Sequence, residues 1–274
     1  MPETTKNPFR KGAHPLKIVV LAKQVPDTWS DRKINLETGF LDRSASDPVP
    51  DEINERALEN ALLYKEANAD TEIVVLSMGP EQTTQTLRKL LSMGADSAVL
   101  VTDPALAGSD MVQTARTLAA AVQQMDADLL LAGNEATDGR GGMVPAMIAE
   151  ILGWPVLPGL DQLQIAANEV SGTAQVDAGT LTLSSPLPAV VSVTEKTAEA
   201  RFPSFKGIMQ AKKKPLDTWT SADLGIQAGP EAASSRSVMV SAQGRPAKEA
   251  GPKITDDGTA AEQLADFLVA NRLI

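Results

Sequence analysis

Four short, continuously apolar runs, each separated from the next by a segment with helical spacing, constrain this chain more than any other feature. The runs are Leu16-Lys-Ile-Val-Val-Leu-Ala, Thr71-Glu-Ile-Val-Val-Leu-Ser, Ala98-Val-Leu-Val and Asp128-Leu-Leu-Leu-Ala-Gly. Their length and β-branched content suit strands rather than helices. They show no polar alternation, so such strands must be covered on both faces, as in a parallel sheet flanked by helices. The intervening segments supply those helices. Residues 51–65 place Ile53, Ala57, Leu58, Ala61 and Leu62 on one side, and 82–93 ends at Gly94, a favourable C-cap. Residues 109–125 can be capped by Ser109 or Asp110, and 143–152 forms the next helix. The expected fold class is α/β, a mostly parallel doubly wound, Rossmann-like sheet.

After Leu160 the pattern changes. Residues 162–170 and 172–184 read as paired antiparallel strands with turns at Asn168 and Ala178-Gly179, an edge elaboration on the same sheet. Ala189-Val-Val-Ser-Val reads as one more buried strand. Residues 227–253 are rich in Ala, Ser, Gly and Pro and read as an extended linker. Helical patterning returns over 260–273, with Leu264, Phe267 and Leu268 on one face that needs a surface to cover it. The expected organisation is a disordered tail over 1–16, an α/β nucleotide-binding domain over 17–225, and a linker with a C-terminal helical arm over 226–274.

Composition removes several function classes. The formal net charge of −10 argues against a general nucleic-acid binder. With 0 cysteines there is no disulfide, thiolate metal site or cysteine nucleophile. The 1 histidine, His14, lies in the polar N-terminal segment, so histidine acid–base and triad chemistry have no candidate in the folded region. The sequence offers no catalytic residue and no metal ligand set. With no apolar export signal or spanning run, a cytoplasmic location is the default expectation.

Two segments carry candidate chemistry. Gly133-Asn-Glu-Ala-Thr-Asp-Gly-Arg-Gly-Gly142 follows a strand and precedes a helix. A crossing of this kind offers backbone N–H groups and a helix N-terminus to an anion. Asp138 could cap the turn or bind a ribose hydroxyl, and Arg140 could pair with phosphate. Neither a Walker A loop nor a first-strand GxGxxG is present. Taken alone, a glycine-rich turn is more often only a turn. The second segment, Arg201-Phe-Pro-Ser-Phe-Lys-Gly-Ile-Met-Gln-Ala-Lys-Lys-Lys-Pro, holds two of the 5 phenylalanines, and its first half reads as a loop. Exposed aromatics beside Ile208, Met209 and Lys212, Lys213 and Lys214 fit a docking surface. A core turn followed by solvated lysines is the competing reading.

The second segment resembles the recognition loop of the electron transfer flavoprotein beta-subunit family. Val20-Leu-Ala-Lys-Gln-Val-Pro-Asp27, Met93-Gly-Ala-Asp96 and the turn 133–142 are similar to that family in the same order and spacing. The resemblance implies a heterodimer with an alpha subunit that holds most of a redox FAD. It implies structural AMP carried over onto Leu21, Ala22, Asp51, Asn54 and Met78, and along the turn on Gly133, Asn134, Asp138, Gly139, Arg140, Gly141, Gly142, Met143 and Val144. Thr28 and Trp29 would line the FAD from this side. Phe202, Phe205, Ile208, Met209 and the lysine cluster would dock flavin dehydrogenases of the acyl-CoA type. A membrane quinone oxidoreductase would accept the electrons. Gln175 stands where many relatives carry a glutamate that pairs with the alpha subunit. Leu264, Phe267 and Leu268 would clamp that subunit.

Gly139 to Gly142 depart from the commonest turn, which leaves backbone contacts to the phosphate and puts side-chain contacts in doubt. A second FAD in place of AMP, as in bifurcating members, remains an alternative, although their Asp-Thr-Ala-Gln is missing here. Two further readings are a stand-alone nucleotide-binding stress module, which predicts a homodimer, and an adenylating enzyme of the ATP pyrophosphatase type. The latter would need Ser-Gly-Gly-x-Asp-Ser where Lys23-Gln-Val-Pro-Asp stands.

Overall fold

A computed structural model of the chain describes residues 15–30, 32–43, 45–226, 237, 239–247 and 250–274. Most of the expected tail, residues 1–14, lies outside the described residues, as does part of the expected linker. The chain divides into two compact units, Met1–Val240 and Ser241–Ile274.

The first unit is built on seven parallel strands in the order β12-β5-β4-β1-β6-β11-β7. The apolar runs become β1 (Lys17–Leu21), β4 (Glu72–Met78), β5 (Ser97–Val101), β6 (Leu129–Gly133) and β11 (Ala189–Val193). The outer strands are β7 (Val156–Leu160) and β12 (Leu216–Trp219). Alternate residues of each strand feed two cores. Ile18, Val20, Ile73, Val75, Leu129 and Leu131 pack with helices α1 (Glu52–Ala67) and α2 (Thr83–Met93). Val19, Leu21, Val74, Leu76, Leu130 and Ala132 pack with α3 (Met111–Gln124) and α4 (Val144–Leu152). The sheet is therefore covered on both faces, which is why its strands read as continuous apolar runs.

Helix ends follow local chemistry. Asp51 caps α1 by accepting from Ile53 N, and Asp110 caps α3 by accepting from Gln113 N. The C-cap of α2 is Gly94 at φ 146°, a conformation that disfavours residues with a Cβ.

The chain runs outward from β1 through β4 to β5, then returns to place β6 on the other side of β1. The reversal creates a topological switch point between β1 and β6. In open α/β sheets, ligands bind beyond the carboxyl ends of the strands at such a point.

The antiparallel elaboration lies beside edge strand β7, but differs from the expected arrangement in two respects. It forms its own three-stranded sheet of β8 (Gln162–Ile165), β9 (Glu169–Val176) and β10 (Gly179–Pro186), instead of continuing the main ladder. The turn at Asn168 also separates β8 from β9, and Gly172, expected to start a strand, sits within β9. A Cβ there would stand 2.2 Å from the Gln162 carbonyl oxygen, so β8 and β9 can approach only over a glycine. A small hairpin of β2 (Gln24–Pro26) and β3 (Pro48–Pro50) completes the strands described.

In the second unit, helix α6 (Ala260–Ala270) buries none of its residues. Leu264 and Phe267 are exposed, and Leu268 is half-buried. Among the described residues, no helix is long and apolar enough to cross a membrane, and no cluster of His, Cys, Asp and Glu could hold a metal ion.

Candidate nucleotide turn and docking helix

The switch point gathers most of the residues expected to bind a nucleotide. Leu21 ends β1 and Ala22 follows it, Met78 ends β4, Asp51 caps α1 and Asn54 lies in its first turn, and Gly133 ends β6. The key support is Asp51, which is 0% exposed. Its Oδ2 accepts from Thr137 N at 2.7 Å and from Thr137 Oγ1 at 2.8 Å. One carboxylate thus caps α1 and holds the glycine turn above it. Asn54 assists by accepting from Lys23 N at 2.8 Å, which ties the end of β1 to the same helix. A Cβ on Gly133 would stand 2.7 Å from Asn54 Nδ2, so β6 can meet α1 this closely only through a glycine.

The turn then rises into solvent. Lys23 Nζ donates to Asp138 Oδ1 at 2.6 Å, and Arg32 donates to the Thr137 carbonyl. Asp138 therefore has a charged partner in this chain and also accepts from Gly139 N at 2.6 Å. Arg140 is different. It takes φ 48°, its side chain is exposed, and its charged neighbour Glu135 stands at 3.8 Å. Gly139, Gly141, Gly142 and Met143 are exposed, and Val144 opens α4 without any side-chain cap. The first N–H groups of an uncapped helix are an anion-binding feature. Asn134 Oδ1 is buried and has no partner. A glycine-lined turn, an uncapped helix start and an orphaned acceptor fit a nucleotide of anionic and hydrogen-bonding character.

Trp29 is 95% exposed beyond the hairpin, with its N–H donating to Asp27 Oδ1. Gln175 lies on β9, exposed, and pairs with Thr180 across the small sheet at 2.9 Å.

The expected docking loop is in large part a helix, α5 (Phe205–Ala211). Ser204 caps it by accepting from Gly207 N. Gly207 serves here as a contact rather than a breaker, since a Cβ would stand 2.2 Å from the Ser92 carbonyl oxygen at the end of α2. Phe202 and Phe205 are 95% and 82% exposed, and Ile208 and Met209 are about half exposed at 48% and 54%. Beside them, a shallow groove of about 590 Å³ is lined by Arg88, Lys89, Ser92, Pro203, Ile208 and Lys212, among others.

Two arginines that sequence reasoning did not single out hold this surface. Arg201 meets the buried Glu59 through Nε at 2.8 Å and Nη2 at 2.7 Å, and reaches Glu66 at 2.6 Å. Its hydrogen bonding to Glu59, followed by that to Glu66, holds the guanidinium well above its ordinary pKa. Arg88 donates to the carbonyls of Ala211 and Lys214 at 2.7 Å, closing the far end of α5.

The three lysines are not equivalent. Lys212 and Lys213 are exposed. Lys214 turns inward and donates to the carbonyls of Leu91 and Ala95 at 3.0 and 2.6 Å, satisfying the end of α2. Burial pulls its ammonium below the usual lysine range, and Asp96 pulls the other way. It is a helix-end ligand rather than part of a solvated patch.

The fold is a doubly wound, mostly parallel α/β sheet with a glycine-rich turn at its switch point. The Electron transfer flavoprotein domain matches residues 38–224. The electron transfer flavoprotein subunit beta of Mycobacterium bovis is 48% identical over 94% of this chain and 99% of its own length. That of Mycobacterium leprae is equally similar, at 48% with the same coverage. The caffeyl-CoA reductase-Etf complex subunit CarD of Acetobacterium woodii is 36% identical over 93% of this chain and 97% of its own. The chain belongs to the electron transfer flavoprotein beta-subunit family, a family of flavoprotein subunits in electron transport.

Proposed function

We propose that this chain is the beta half of a heterodimeric electron carrier. An alpha subunit holds the redox FAD, which supplies the electron chemistry when bound. This chain contributes no catalytic residue. It buttresses the flavin side with the exposed Trp29 region, holds AMP in a structural role at the turn 133–142, and presents α5 to flavin dehydrogenases of the acyl-CoA type. Electrons then pass to a membrane quinone oxidoreductase. The helix α6, with no buried residue of its own, clamps the alpha subunit through Leu264, Phe267 and Leu268.

The observation that carries this reading is α5. Phe202, just before α5, and Phe205, at its start, stand almost fully in water on a segment pinned at one end by Arg201 and at the other by Arg88. Rigid exposed aromatics beside an apolar groove are a feature of surfaces that bind another protein. For the nucleotide turn, Asp51, Asn134 and the uncapped α4 support AMP. A second reading places a second FAD at the same turn, in line with Asp138-Gly139 and Val144-Pro145, which resemble the turn of bifurcating members.

The test is to purify the chain alone and with its alpha subunit. Alone it should be colourless. The heterodimer should be yellow and release equimolar FAD and AMP on denaturation. A stoichiometric yellow preparation of the lone chain would overturn the proposal, whereas two FAD and no AMP from the heterodimer would select the second reading.

A further inference from the structure

Helices α2 and α5 leave between them a groove with an apolar floor and a positive rim. Ile208, Ala211 and Lys212 line it from α5 at i, i+3 and i+4. Arg88, Lys89 and Ser92 line it from α2. Phe205, Ile208, Met209 and Lys212 follow i, i+3, i+4 and i+7, so they form one stripe along α5. The exposed ridge and the groove therefore meet at Ile208, and a partner that covers one borders the other.

The polar groups here are mostly engaged within the chain. Arg88 donates to the carbonyls of Ala211 and Lys214, Lys214 donates to those of Leu91 and Ala95, and Ser92 Oγ donates to the Lys89 carbonyl. Between two helices an extended segment would find no backbone ladder to join. A helix needs none, because it satisfies its own backbone, and its side chains can settle between two others as ridges into grooves. Charge narrows the occupant further. Lys89 is balanced by Glu55 at 2.7 Å. Arg88 is bonded to neutral carbonyls, which leave its charge uncancelled. Lys212 is exposed and has no carboxylate partner among the described residues. Lys206 and Lys213, exposed on the flank of the same helix, add to the field. This patch is positive on a chain whose formal net charge is −10.

We propose that the groove receives an amphipathic helix of the dehydrogenase, with aliphatic side chains against Ile208 and Ala211 and a carboxylate facing Lys212. The inference rests on the reading of α5 as the dehydrogenase surface, and it makes docking two-way. Phe205 enters the partner, and the partner's helix enters the groove. The carboxylate at Lys212 is open to solvent, so it speeds association, whereas the apolar floor holds the complex.

The test mixes the heterodimer with an acyl-CoA-type dehydrogenase that reduces its flavin, and joins lysines to touching carboxylates with a zero-length carbodiimide. Lys212 should couple to a dehydrogenase peptide that carries acidic and aliphatic residues at helical spacing. Lys212→Gln should remove that product. Ile208→Ala should raise the dissociation rate of the complex about tenfold, and Ile208→Val less than about threefold. Subunit assembly and the flavin spectrum should stay as in the wild type. No coupling at Lys212, or coupling to a second copy of this chain or to Glu262 or Asp266 of α6, overturns the inference. So does an unchanged dissociation rate in Ile208→Ala, and in both cases the dehydrogenase still reduces the flavin. If no dehydrogenase of this type reduces it, the reading of α5 falls and the groove with it.

Discussion

The glycine turn and helix α5 are both held by charged groups, a buried Asp51 in one case and half-buried Arg88 and Arg201 in the other, yet they present opposite chemistry to the outside. The turn shows backbone N–H groups and glycines, and its support, Asp51, lies wholly beneath it. Helix α5 shows aromatic and aliphatic side chains, and its supports grip only its two ends. A site made of backbone tolerates changes in its own side chains and fails when its support fails. A site made of side chains fails at the surface residue itself. Substitutions should therefore separate stability from binding at α5, and couple them at the turn.

The largest expected effect is at the turn. Asp51→Ala removes a helix cap and leaves the Thr137 donors without their acceptor, which should cost about 3 kcal/mol of stability. Urea unfolding and AMP affinity should fall together. Loss of stability with AMP affinity intact would break the comparison, because the turn would then be shaped by something other than Asp51.

Phe205→Ala should do the reverse. Truncating an exposed anchor should weaken dehydrogenase coupling by about 2 kcal/mol, roughly thirtyfold. The melting temperature should move by about two degrees at most, since surface changes rarely exceed ~0.5 kcal/mol. Electron transfer at limiting carrier concentration reads the first, and a thermal melt the second. A drop of many degrees with coupling intact would make Phe205 a core residue.

The smallest effect belongs to the rim. Replacing Lys212 and Lys213 by glutamine should slow association with an acidic dehydrogenase surface roughly threefold at low salt, with little change in complex lifetime. The difference should vanish as salt shortens the Debye length to about 3 Å near 1 M. An effect that survives high salt would mean these lysines contact the partner directly.

Much of this contrast was legible in the sequence, because the five central strands, the cap at Asp110 and the turn after β6 all depend on local pattern. The parts that were not legible depend on partners distant in the chain. Pro203 and Gly207 look like loop punctuation, but Gly207 is needed because α5 lies against the Ser92 carbonyl. The lysine run gives no sign that Lys214 serves the carbonyls of Leu91 and Ala95. Arg201 looks like one more surface charge until α1 brings Glu59 and Glu66 to it. The small sheet was placed correctly at the edge, but its strand limits turned on whether Gly172 begins a strand or lets two strands approach.

Strand β12 follows α5 directly and pairs with β5, with Leu216 opposite Ala98 and Trp219 opposite Val101. The docking helix is thus fastened to the sheet by a strand made after it, against a strand made long before. During synthesis, the chain must emerge past Trp219 before this last ladder can close. Such long-range pairings form late and slowly. The surface proposed to meet a dehydrogenase then becomes a mark of completion, set in its final orientation only once the sheet behind it has been assembled from edge to edge.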